Sequence, residues 1–90
     1  MKYELCEGVA IEKVENHSIL ITTAGDAVIL NEAATHMLDL ILMGNDIEVV
    51  EAKVVDIFEV DKAILKNDIE SLIADLVTAR LLKSIYEETV

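Results

Sequence analysis

The sequence predicts an α+β fold in which a three-stranded antiparallel sheet at the N-terminus is followed by three α-helices. Three observations carry this. Three short apolar runs occupy the first 30 residues and are separated by turn signals too closely spaced for anything but hairpins. From Asn31 onward, apolar residues recur at helical spacing, and a capping residue precedes each run. No proline interrupts any segment.

Gly8 to Ile11 reads as the first strand, extendable to Val14, and Glu15-Asn16 as the turn after it. His17 to Thr22, rich in Ile, is the second strand. Ala24-Gly25-Asp26 forms the next turn, with Gly25 suited to positive φ. Ala27 to Leu30 is the third strand. In such a meander the third strand lies at an edge unless something covers it.

Asn31 is a good N-cap, and Glu32 suits the positive end of the first helix, expected from Glu32 to Met43 and stopped by Gly44. Ala33, Ala34, Met37, Leu38 and Ile41 form its core face; Glu32, Thr35, His36 and Asp39 form the outer one. Asp46 is the cap candidate for a second helix over Ile47 to Phe58, with Ile47, Val50, Val54, Ile57 and Phe58 on one stripe. Its valines also favour strand. Asp61 caps a third helix from Lys62 to about Leu82. At 100° per residue, Leu65, Ile69, Leu72, Ile73, Leu76 and Val77 fall in an arc roughly 140° wide. Such an arc can face both a core and a groove. Asp68 and Asp75 lie along one border of it, while Lys62, Lys66 and Arg80 fall inside it or on its opposite side.

Bulk properties exclude several function classes. Ninety residues make one domain, 1–90, with a modest core. The 53% hydrophobic content and mean hydropathy of +0.44 argue against disorder and leave apolar surface for a partner. A net charge of −11, from 18 acids against 7 bases, disfavours nucleic acid and anionic membranes and favours basic partners. The lone Cys6 allows no internal disulfide, which is compatible with a reducing cytoplasm. No signal-peptide core and no run near the ~20 apolar residues of a membrane span are present, so a cytoplasmic location is expected.

Little here is catalytic. The acids are scattered over surface faces with no Ser or His at a telling spacing, so general acid–base work is not supported. His36 and Asp39, three apart on an outer face, are a solvated pair; a metal site needs more ligands. His17 begins a strand and is exposed. Cys6 has no nearby base or helix N-terminus to activate it. Met37 and Met43 are core filler rather than a cofactor box. No enzyme activity, metal or cofactor is expected.

The order Gly25, Leu30-Asn31, Ala34, Gly44, Phe58, then Asp68, Leu72, Leu76 and Leu81-Leu82 resembles the PqqD-like family. These are peptide-recognition domains (RiPP recognition elements) of ribosomally made, post-translationally modified peptide pathways. The resemblance covers roughly Gly8 to Leu82. Two positions depart from it: Val28 stands where members often carry an aromatic, and Arg80 where a Gly is usual, so the third helix is expected to run on toward Ile85.

The resemblance implies a winged helix-turn-helix-like fold. It also implies that the leader of a precursor peptide adds as a strand to the third strand and lies against the third helix. Backbone hydrogen bonds then give affinity, and apolar side chains entering the groove give selectivity. Carried over by position, the edge is Ala27, Val28, Ile29 and Leu30, and the helix side is Leu65, Asp68, Ile69, Leu72, Asp75 and Leu76. Some of the latter must fill the core, and Asp68, Leu72 and Asp75 are expected to face the ligand most.

The implied role is a stand-alone, non-catalytic peptide chaperone that raises the local concentration of the precursor near its partner. That partner is a leader protease and cyclase in a lasso-peptide cluster, or a modifying enzyme in a radical-based cluster such as quinone-cofactor biosynthesis. Two other classes compete. A winged-helix transcriptional regulator requires a basic recognition helix, whereas the third helix carries Asp68, Glu70 and Asp75. An assembly module would form a homodimer through the bare edge strand and take no peptide.

Overall fold

The computed structural model describes residues 2–85. Eight elements follow in the order β1 (Lys2–Leu5), β2 (Ala10–Val14), β3 (His17–Ile21), β4 (Ala27–Leu30), α1 (Glu32–Leu42), α2 (Ile47–Ile57), α3 (Lys62–Thr78) and β5 (Leu82–Ile85). The expected meander is present as an antiparallel sheet of order β2-β3-β4, and the three helices follow it. The expected first strand sits slightly later than Gly8–Ile11, because Gly8 takes φ +82 and belongs to the preceding turn.

Two elements lie outside the expected set. β1 and β5 pair antiparallel as a separate two-stranded sheet, with Lys2 opposite Ile85 and Leu5 opposite Leu82. The third helix therefore does not reach Leu82. It ends at Thr78, with Ala79 as its C-cap and Arg80 in the left-handed region at φ +62. The Arg80 N–H donates to the Val77 carbonyl at 3.0 Å and the Leu81 N–H to the Leu76 carbonyl at 2.9 Å. This is a Schellman motif, the same device that Gly44 supplies after α1 at φ +90. Leu81 and Leu82 then turn inward, both almost fully buried. Their burial offsets the strain of a side-chain-bearing residue at Arg80.

The core has two lobes. Met37, Ile41, Val50, Val54, Leu65 and Ile69 pack among the three helices. Leu20, Leu30, Leu38, Leu76, Leu81 and Leu82 join both sheets to α1 and α3. Half-buried Leu72 and Tyr3 touch both lobes.

Four positions depart from the expected burial. Thr35 is buried rather than outward, Ile57 and Val77 are exposed at 57% and 41%, and Met43, expected as core filler, is 74% exposed at the C-cap of α1. Thr35 goes inside because its hydroxyl has partners there: it donates to the Leu30 carbonyl at 3.3 Å and accepts from Ser18 Oγ at 2.8 Å. With both hydroxyls satisfied, burying them carries little penalty.

Candidate functional site

The site begins with what the backbone of β4 leaves over. Thr22 N–H donates to the Asp26 carbonyl at 2.9 Å, making Thr22 and Asp26 a hydrogen-bonded pair at the mouth of the β3–β4 hairpin. Such pairs alternate in an antiparallel ladder. Given the register Leu20↔Val28 and Ser18↔Leu30, Val28 and Leu30 bond inward to β3. The backbone groups of Ala27 and Ile29 are consequently turned to the open side, where no described strand pairs with them. Side chains alternate independently of this: Leu30 is buried, Val28 half-buried and both face the core, while Ile29 is 71% exposed on the other face.

Three local interactions hold this strand in place. Asn31 caps α1, its side chain accepting from Ala34 N–H at 2.8 Å. The Ser18–Thr35–Leu30 chain of hydrogen bonds ties α1 to β3 and β4. Leu30 itself packs with Leu38 and Leu76. The edge is thus fixed at its α1 end by a cap, a buried polar link and an apolar contact.

α3 forms the facing wall without closing on the strand. Leu76 and Leu30 share a core lobe, yet no Cα of α3 comes within 8 Å of β4. A hollow of about 290 Å³ lies between α3 and the start of α1, lined by Asn31, Ala34, Met37, Asp68, Leu72 and Asp75. Asp61 starts this wall by capping α3 through Ala63 N–H at 2.8 Å.

The expected helix-side residues therefore separate into two sets. Asp68 and Asp75 are exposed, and half-buried Leu72 lies with them along the hollow. Leu65, Ile69 and Leu76 are at most 2% exposed and belong to the core. They support the wall and do not offer surface to a ligand. Asn31, Ala33, Ala34, Met37 and Ser71 also line the hollow and were not among the expected site residues. Asn31 was legible only as a cap and the alanines and Met37 only as core. The signal that could have found them is the pair of small residues, Ala33-Ala34, directly after the edge strand, where short side chains leave space.

Asp39, His36 and Cys6 lie outside the hollow. Asp39 pairs with Lys13, and His36 meets the Phe58 ring edge-on with centroids 6.0 Å apart. Cys6 is half-buried, its N–H donating to the Leu81 carbonyl at 2.9 Å. Among the described residues, no three His, Cys, Asp or Glu side chains are grouped to hold a metal ion, and no helix is long and apolar enough to cross a membrane.

A small α+β domain in which the bare β4 edge lies near a helix wall is thus the class that the fold defines. The chain belongs to the PqqD family: the family model for coenzyme PQQ synthesis protein D matches residues 9–82. No curated protein matches the sequence. Two solved structures share the fold. TbiB1 in complex with the TbiA(beta) leader peptide superposes with a TM-score of 0.81 at 17% identity, over 97% of this chain and 100% of that one. Lasso peptide synthetase B1 complexed with the leader peptide gives 0.86 at 18% identity, over 93% of this chain and 100% of that one.

Proposed function

We propose that this protein is a non-catalytic RiPP recognition element that binds the leader of a precursor peptide. The leader adds as a strand to β4, hydrogen-bonding to Ala27 and Ile29, and lies against the Asp68–Leu72–Asp75 flank of α3. In this reading residues 1–90 act as one winged helix-turn-helix-like recognition domain in the cytoplasm. The domain delivers the precursor to a leader protease and cyclase of lasso-peptide biosynthesis, or to a modifying enzyme of a PQQ-type cluster.

The observation that carries the proposal is the bare β4 edge separated from α3 by a gap. A strand added at the usual ~4.8 Å spacing would enter that gap with its core-side residues facing α3. Family membership and the two leader-bound neighbours of the same fold support it. The exposed acids Asp68, Glu70 and Asp75 on α3 oppose the DNA-binding alternative.

The test is a fluorescence-polarisation titration with leader peptides from short open reading frames encoded beside the gene. Saturable binding at micromolar concentration or tighter by one leader supports the proposal and identifies the pathway. No binding by any of them shifts the reading to an assembly module, which native mass spectrometry would reveal as a dimer lost on blocking β4.

A further inference from the structure

The flank of α3 that looks toward Asn31 and the start of α1 carries two acids. Asp68 and Asp75 stand two helical turns apart, about 10 Å, with Leu72 between them and the hollow beside all three. Neither carboxylate has a hydrogen bond or ion pair among the described residues. The basic residues of the same helix do not serve them. Lys62 and Lys66 project roughly 120–160° around the axis from Asp68, and Arg80 lies beyond the helix, in a separate hollow with Asp26. With a net charge of −11 there is little positive charge elsewhere on the chain to compensate.

We infer that the peptide segment held here carries an apolar residue facing Leu72, flanked at two-residue spacing by Lys or Arg that pair with Asp68 and Asp75. This rests on the docking reading above and adds the chemistry of its ligand. Same-face residues of an extended chain are about 7 Å apart, so basic residues on either side of the apolar one straddle Leu72 and reach the two carboxylates by side-chain adjustment. The strand pairing is indifferent to sequence, because it uses backbone groups alone. The two carboxylates supply discrimination in its place, favouring a basic–apolar–basic face and repelling acidic segments.

The experiment displays random 12-residue peptides to the full chain, resynthesises those recovered, and measures their affinity for three proteins at low and high NaCl. The proteins are the wild type, the Asp68→Asn/Asp75→Asn double variant and Ile29→Pro, each checked for folding by circular dichroism. Recovered peptides should carry Lys or Arg two residues from an apolar one. They should bind the double variant about tenfold more weakly and lose their salt dependence with it. Recovered peptides that depend on Ile29 but show no basic excess, or that bind the double variant as tightly, overturn the inference and leave strand docking standing. Peptides bound equally by a folded Ile29→Pro overturn strand docking, and the inference with it.

Discussion

The two flanks of α3 differ in a way that bears on how an extended ligand is held. On one side, toward β4, lies the smaller hollow, about 290 Å³, with Asp68, Leu72 and Asp75 on its helix wall. On the other lies a larger one, about 520 Å³, where Glu70, Ala74 and Val77 face Tyr3, Ile47 and Ser84. Tyr3 and Ser84 are directly opposed partners in the β1–β5 pair, so that sheet turns a face of side chains toward the larger hollow. The smaller hollow includes Asn31, the residue directly after β4, whereas the larger one meets side chains of the β1–β5 pair. An extended peptide needs donors and acceptors at strand spacing, and β4 offers them at Ala27 and Ile29 beside the smaller hollow.

Four substitutions test that contrast. Ile29→Pro removes an outward N–H without touching the β3 ladder, a place where an edge strand accepts proline. It should weaken leader binding about a hundredfold, the loss of backbone pairing with geometry disturbed, while circular dichroism remains that of the wild type. Leu72→Asp should weaken binding about tenfold beyond any change in folded fraction, read by titration alongside urea unfolding. If binding tracks the folded fraction alone, Leu72 serves the core and not the groove. Thr35→Val deprives Ser18 of its partner and loosens the link from α1 to β3 and β4. Urea denaturation should show a loss of about 1–2 kcal/mol. Val77→Asp, on the larger hollow, should leave leader affinity unchanged; a loss matching that of Leu72→Asp would erase the distinction between the flanks.

A fifth variant concerns the turn at which both flanks end. Arg80→Gly relieves a left-handed side-chain-bearing residue and should raise stability by about 1 kcal/mol, measured as a higher urea midpoint with unchanged slope.

The same turn shows what was readable in the sequence. Ala27–Leu30, the Asn31 and Asp61 caps and the Gly44 stop were all legible, because each depends on local chemistry: alternation, a short polar side chain, a residue free to take positive φ. Arg80 gave no such sign, since the conformation it adopts is ordinarily reserved for Gly, and the burial of Leu81 and Leu82 is what holds it. β1 and β5 were missed for a related reason. Each is four residues long, and their partnership joins opposite ends of the sequence, so neither carries a local signature. At the candidate site, the acidic border with Leu72 followed from helical periodicity. The division of the wider set did not: Leu65, Ile69 and Leu76 share the same 3.6-residue arc as Leu72, and only the position of β4 and α1 decides which of them is covered.

The pairing of β1 with β5 has a consequence for engineering. Lys2 lies across from Ile85, one strand spacing away, roughly 5 Å. Residues 2 and 85 are therefore held side by side, like a clasp. Spliced into a surface loop of a host enzyme, the domain would require almost no widening of that loop. An enzyme could thus be given a tethered peptide-capture arm through a single insertion.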